Sequence, residues 1–388
     1  MSETSRRKIG IFGTFDVRNW GDLLFPLLAQ EELTRRLGEI EIIPFSYRSK
    51  NKDNWFYDVT SLDLLPEPVN DLDAIIIGGG HLIRFDKQVA PGYFPGNPRI
   101  HHPTAYWLLP ALLGIAAGVP VIWNAPSSSK NLPQWAVEML KPALHGSSYV
   151  AVRDTISRRE LLRFAPGCEI KVVPDTAFGI KNIVAPKTPS SEYRELLERN
   201  NIKSPYVLLQ ASERTAKFKT PIHAARKELS DHQFVEIEIG PEIGDSIGGY
   251  DTWNLTDHVA IQSWPSPLCL AELVAHSSGA IATSLHLSLT SIAFGNPIMR
   301  PHERPESKYA PLEEHQTVIP MKRREPDSAE QFAKLVRNHT GSAALASVTN
   351  QLSRHWQRVA NAITSGPPPQ VELGTPEFLM RLPFNLEP

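Results

Sequence analysis

The stretch IATSLHLSLTSIAFGNPIM (residues 281–299) decides the fold. Gly279 to Thr283 reads as a buried strand that breaks at Ser284-Leu285-His286. Leu287, Leu289, Ile292 and Ala293 follow at helical spacing, Gly295-Asn296-Pro297 ends the helix, and Pro297-Ile298-Met299 begins another strand. A strand–turn–helix–strand unit of this kind belongs to an open α/β sheet. Ligands of such sheets gather beyond the carboxyl ends of the strands, where helix N-termini offer N–H groups and the positive end of a dipole. His286 falls at that point. A histidine there either meets an anion with a ring proton or caps the helix and touches water, and position alone leaves both readings open.

The chain around this unit has 388 residues, enough for two domains. Hydrophobic residues make up 41% and charged residues 21%, as in an ordinary soluble globular protein. A net charge of -2 and a pI near 6.7 argue against a nucleic-acid partner, which calls for a basic excess or stripe. Cys168 and Cys269 match neither a zinc spacing nor a disulfide framework and fit a reducing cytosol, and Cys269 reads as a core filler. The opening residues pass from a polar lead into a strand with no apolar signal core. Residues 105–123 are the most apolar run. Their prolines and glycines divide them into a buried helix and a strand, so no membrane span is expected.

In chain order, residues 8–13 read as a first strand and 14–38 as a turn and a helix, with Asn19, Gly21 and Asp22 in the turn. Glycine permits close approach of a ligand there, while Asp22 is equally an N-cap. Strand 39–45 follows, and the strand of 73–85 ends in Gly78, Gly79 and Gly80. Three glycines leave backbone donors bare for an anion or sugar, or they answer a turn with positive φ; they lack dinucleotide spacing. His81 and Arg84 could face the same edge, and the irregular loop 86–103 holds His101 and His102. Strand 119–123 ends in Asn124 and small polar residues. Strand 149–152 ends in Arg153, whose fork of donors suits carboxylate or phosphate, or a structural salt bridge. Asp154 is placed to cap a helix, and strand 170–179 carries Asp175. The expected organisation is a Rossmann-like domain over 1–182, a linker over 183–203 with a helix from Glu192 to Arg199, a second Rossmann-like domain over 204–345, and a C-terminal helix with a proline-rich tail over 346–388. Residues 300–327 read as a variable stretch holding Arg300, His302 and Arg304. The expected class is α/β, with two Rossmann-like domains facing a cleft in the GT-B arrangement.

These motifs, in this order, resemble the polysaccharide pyruvyl transferase family. Asn19-Trp20-Gly21-Asp22 is similar to its N-x-G-D, and the glycine triplet 78–80 follows. Arg153-Asp154 with Ser157 is similar to its R-D-x-x-S and precedes Pro174-Asp175. Leu285-His286 ahead of Ala293-Phe294-Gly295-Asn296-Pro297 is similar to its R-L-H and A-x-G-x-P. The resemblance implies a transferase that moves a pyruvyl group from phosphoenolpyruvate onto a hydroxyl pair of a surface polysaccharide or its precursor, forming a ketal. It implies His286 as acid/base or phosphate contact and Arg153 as a donor-binding residue. Leu285 and Ser284 would lie at the same turn, and Asn19, Asp22, Gly79, Gly80 and Asp175 at substrate. Phosphoenolpyruvate is then a donor substrate, and no cofactor or metal is called for. The acceptor is a saccharide, free or lipid-linked, and the site is cytoplasmic, at the inner membrane face if the acceptor is lipid-linked. Ser284 stands where the family carries arginine, which removes a full charge. Arg84, Arg300 or another cation replaces it, or the donor differs, or the chain does not catalyse. Two other readings stay open: a GT-B glycosyltransferase using a sugar nucleotide, and a non-catalytic sugar-binding relative.

Overall fold

The computed structural model describes residues 6–65, 67–85, 103–184, 188–246, 258–303, 309–338 and 346–366. His101, His102, Arg304 and the proline-rich tail from residue 367 lie outside the described residues. The chain divides into two compact units. The first comprises residues 25–176, with those before 18 and after 347; the second comprises residues 18–24 and 177–347.

The first unit is a parallel sheet of β1 (Arg7–Phe12), β2 (Ile40–Ser46), β3 (Thr60–Ser61), β4 (Ala74–Ile77), β5 (Val121–Trp123), β6 (Tyr149–Val152) and β7 (Ile170–Val172). Its order is β3-β2-β1-β4-β5-β6-β7. The central strands are apolar on both faces, as strands covered by helices on each side must be, and all four residues of β4 are buried. The connecting helices are α1 (Trp20–Leu37), α2 (Leu108–Ala116), α3 (Val137–His145) and α4 (Thr155–Phe164).

The second unit repeats the scheme. It contains α5 (Ser191–Arg199), β8 (Tyr206–Gln210), α6 (Glu213–Ala216), α7 (Lys219–Glu228), β9 (Gln233–Ile237), β10 (His258–Ala260), α8 (Pro267–His276), β11 (Gly279–Ile281), α9 (Leu285–Phe294), β12 (Ile298–Pro301), β13 (Val318–Met321) and α10 (Ser328–Arg337). Its strands are parallel in the order β10-β9-β8-β11-β12-β13. Helix α11 (Ala346–Thr364) closes the described chain, and from residue 348 it belongs to the first unit. In both sheets the strand order reverses beside the first strand, between β1 and β4 and between β8 and β11. Those are the points where doubly wound sheets bind ligands.

The helix read over 192–199 within the 183–203 linker is α5, whose Tyr193 and Leu196 are buried and whose N-cap is Ser190. Glu272 of α8 accepts from the Ser190 backbone N–H at 2.8 Å and from its hydroxyl. Strand β13 lies within the stretch read as variable. It is the edge strand of its sheet, and its exposed Pro320 is the residue an edge tolerates and a strand pattern lacks.

Candidate functional site

Five of the expected residues meet at the switch point of the second unit. Residues 18–24 cluster there although the rest of α1 belongs to the first unit. Trp20 is fully buried, donates its backbone N–H to Ile239 O at 2.9 Å, and donates its indole N–H to Pro267 O at 2.8 Å. Arg18 is held by Glu242, from its backbone N–H at 2.9 Å and from Nε at 2.6 Å. These bonds bring Gly21 against His286. A Cβ on Gly21 would lie 1.8 Å from His286 Nδ1, so the imidazole rests on bare main chain. The Asn19-Trp20-Gly21-Asp22 spacing therefore needs glycine for approach of a side chain of the same protein. Asn19, rather than Asp22, precedes the helix: its carbonyl accepts from Asp22 N at 3.1 Å and Leu23 N at 3.2 Å. Asp22 lies in the first turn, where its carboxylate accepts from Asn19 Nδ2 at 2.7 Å.

The β11–α9 turn carrying Ser284, Leu285 and His286 is fixed by a residue that the sequence reading passed over. Gln210, at the end of β8, accepts from Thr283 N at 2.9 Å and Ser284 N at 2.8 Å. Its amide nitrogen donates to Asp245 at 3.0 Å, and Asp245 also accepts from Ile239 N at 2.8 Å and Gly240 N at 3.2 Å. Burial pushes the Asp245 carboxyl above its ordinary pKa, against these hydrogen bonds. The loop 239–245 thus secures both the 18–22 segment and the turn before His286. The hydroxyls of Ser212 and Thr215 lie 2.7 Å apart, and each is 3.4 Å from that of Thr283. The signal for this cluster was Gln210-Ala211-Ser212, polar residues directly after an apolar strand. Ser284 is the N-cap of α9: its hydroxyl accepts from Leu287 N at 3.3 Å, which turns it into the helix start.

Arg300 is the penultimate residue of the neighbouring strand, β12. Ile281 pairs with both Leu209 and Met299, so Gln210, Ala282 and Arg300 form the next row across the sheet. Leu209, Ile281 and Met299 pack with α7 and α10, and the pleat turns Gln210 and Arg300 to the opposite face. Helix α9 packs against β11 and β12. Arg300 is fully buried, pairs through Nη2 with Glu303 at 2.9 Å, and has its guanidinium carbon 5.0 Å from the Tyr309 ring centre.

Arg153, Asp175, Gly79 and Gly80 lie in the first unit. Arg153 Nη1 pairs with Asp175 at 3.0 Å, with side chains 7% and 6% exposed, so here each answers the other. Asp154 caps α4 by accepting from Ser157 N at 2.7 Å, and the Ser157 hydroxyl accepts from Ser128 N at 2.8 Å. The spacing R-D-x-x-S is thereby accounted for locally. Each glycine of the triplet also answers a local requirement of the fold. Gly78 donates to Phe12 O at 2.8 Å, a Cβ on Gly79 would lie 2.5 Å from the Phe25 ring, and Gly80 has φ of 87°. His81 pairs with the hydroxyls of Ser127 at 2.9 Å and Ser129 at 3.3 Å, and Arg84 is half-buried. Among the described residues no group of three His, Cys, Asp or Glu side chains is placed to hold a metal, and no helix is long and apolar enough to cross a membrane.

Comparison with known proteins follows the same lines. The chain is similar over its length to the UDP-GlcNAc 2-epimerase of Methanocaldococcus jannaschii, with TM-score 0.61 and 13% identity over 91% of this chain and 99% of that one. It is similar also to UDP-GlcNAc 2-epimerase from Neisseria meningitidis bound to UDP-GlcNAc, with TM-score 0.59 and 12% identity over 93% and 100%. At these identities the likeness is one of fold, two Rossmann-like units in a GT-B-like α/β architecture. No curated protein matches. The family model for polysaccharide pyruvyl transferase matches residues 19–298, a span that starts at Asn19 and includes Gly21, Arg153 and His286. The chain belongs to the polysaccharide pyruvyl transferase family.

Proposed function

We propose that the chain transfers a pyruvyl group from phosphoenolpyruvate to two hydroxyls of a saccharide, forming a ketal and releasing phosphate. What carries the reading is the seating of His286 on Gly21, because it joins two motifs of the matched family that lie far apart in sequence. The enol CH2 of phosphoenolpyruvate takes a proton and becomes CH3, and its neighbour becomes electrophilic. A sugar hydroxyl adds to that carbon and gives up its proton. The C–O bond to phosphate breaks, a second hydroxyl adds and loses its proton, and the ketal closes. Histidine is the side chain suited to move these protons near neutral pH, and His286 stands at the start of α9, where backbone N–H groups favour an anion. The hydroxyls of Ser212, Thr215 and Thr283 give the same edge hydrogen-bonding capacity for phosphate or sugar. Arg153 would serve an anionic group after releasing Asp175, and Leu285, Asn19, Asp22, Gly79 and Gly80 complete the set carried over from the family. The scheme uses no cofactor or metal. A cytoplasmic location at the inner membrane face follows if the acceptor is lipid-linked.

A second reading takes a sugar nucleotide as substrate; the UDP-GlcNAc in the Neisseria relative favours it. One experiment separates the two. A ligand that binds only the folded chain raises its melting temperature. Phosphoenolpyruvate is expected to do so, and 31P NMR is expected to show phosphate release when glycosides with neighbouring free hydroxyls are added. A rise with UDP-GlcNAc and none with phosphoenolpyruvate would replace the proposal with the nucleotide reading.

A further inference from the structure

This inference rests on the donor reading above and concerns the charge lost at Ser284. Phosphoenolpyruvate carries a carboxylate and a phosphate, and a site for it needs fixed positive charge. Ser284 does not supply it, because serine is uncharged and its hydroxyl oxygen accepts from Leu287 N as the cap of α9. Among the described residues, Arg300 is the only arginine or lysine that is fully buried. It stands one strand over from the turn: Ala282 N donates to Met299 O at 3.1 Å, so the main chain of β12 runs beside the residues that lead into Ser284 and His286. It shares a sheet face with Gln210, which holds that turn, at a separation of about 10 Å set by two strand spacings. One nitrogen, Nη2, is answered by Glu303. The buried Nε and Nη1 have no hydrogen-bond partner among the described residues. Buried guanidinium nitrogens left unanswered are costly, and native chains leave few of them. A fully buried cation with donors to spare, on the strand beside the turn where the family's arginine has become serine, has the position and the chemistry of a replacement.

We infer that Arg300 is the cation that holds the anionic end of the donor in place of an arginine at position 284, and that Glu303 is the carboxylate that competes with the donor for it. The test uses the full chain and calorimetric titration with phosphoenolpyruvate, with inorganic phosphate as a second probe. Losing a charge-assisted hydrogen bond corresponds to about 30-fold, so Arg300→Met is expected to weaken phosphoenolpyruvate by about that factor while circular dichroism stays that of the folded chain. Glu303→Gln is expected to tighten binding a few-fold, by removing the competitor. Adding Ser284→Arg to Arg300→Met is expected to recover most of the loss. Binding by Arg300→Met equal to that of the unaltered chain overturns the inference, and so does a Glu303→Gln variant that binds no tighter. If Arg300→Met does not fold, Glu303→Gln decides alone by the same criterion. If the unaltered chain binds inorganic phosphate but not phosphoenolpyruvate, the donor reading fails separately. Arg300 then keeps its role as an anion site only if Glu303→Gln tightens phosphate.

Discussion

The two units share a strand order and differ in how their motif residues are engaged. At the carboxyl edge of the first, the motif side chains answer one another: Arg153 with Asp175, Asp154 with Ser157, and Ser157 with the backbone of Ser128. At the edge of the second, the motif residues meet through main chain. His286 lies on Gly21, and the turn before it hangs from Gln210. Mutual satisfaction of charged side chains is what a scaffold requires, and it withholds those groups from a ligand until a bond is broken. Approach of a side chain to bare backbone fixes its geometry through van der Waals contact. The second edge is therefore where the chemistry is expected to be most sensitive, and the first is where stability is.

The largest effect expected is on the first edge. Removing one partner of a buried ion pair leaves an uncompensated charge, so Arg153→Met should cost about 3–5 kcal/mol in urea unfolding. Arg153→Met combined with Asp175→Leu should regain most of that stability. If activity stays lost in the stable double variant, Arg153 serves the donor as well as the scaffold. If activity returns with stability, the pair is structural and the contrast between the edges is sharper still.

Next comes the second edge. A methyl group on Gly21 would have to displace the His286 ring. Gly21→Ala is expected to lower kcat/KM about 100-fold, equivalent to about 2.7 kcal/mol, while unfolding shifts by no more than about 1–3 kcal/mol for the overpacking. His286→Ala should cost a similar factor, and the double variant little more than either single one. Additive losses would show that the contact does not place the histidine.

Much of this contrast was legible in the sequence, because the features that define it are local. The strand-to-helix break at 284–286, the cap at Asp154 and the alternation of strands and helices follow from short-range patterning, and the structure has each. The joining of residues 18–24 to the second unit was not legible, since it depends on Trp20 bonding to Ile239 and Pro267, more than 200 positions away in a chain read from one end. Gln210 was missed for a related reason: a lone polar residue ending an apolar strand looks like a boundary, and its two backbone partners are supplied by a turn that only the sheet brings near. A structural salt bridge for Arg153 was anticipated as an alternative, but sequence had no means of naming Asp175 as the partner or of choosing between the pair and a ligand.

The closed network of the first unit extends to α11 and should make that unit sensitive to acid. His355 is fully buried; its Nε2 lies 2.8 Å from Asn124 Oδ1 and its Nδ1 3.1 Å from the Tyr149 hydroxyl. A neutral ring suits this, donating to the amide oxygen and accepting from the phenol, whereas a second ring proton would oppose the phenol's own. Burial holds its pKa down to about 3, with Arg358 and Arg36 adding to the effect. Because the folded value lies below the unfolded one, near 6.5, its contribution is whole above pH 6.5 and is lost as pH falls toward 3. At pH 5 the loss should be about 2 kcal/mol relative to pH 7, a difference that His355→Gln should remove. An unaltered pH profile in that variant would assign acid sensitivity elsewhere.

The smallest effect bears on Ser284, where the two edges' logic meets in one residue. As the cap of α9 its hydroxyl serves the helix, in the manner of the first unit's side chains, although it sits on the second unit's edge. Ser284→Ala should then cost about 1 kcal/mol of stability, the usual worth of an N-cap, and leave phosphoenolpyruvate affinity unchanged. Ser284→Gly should cost only a few tenths, because glycine leaves the helix start open to water. A loss of donor affinity without a loss of stability would mean that the hydroxyl serves the ligand instead. The reason to expect the first outcome is geometric: the hydroxyl oxygen is held at the helix start by Leu287 N, and serine brings no charge to a dianionic ligand.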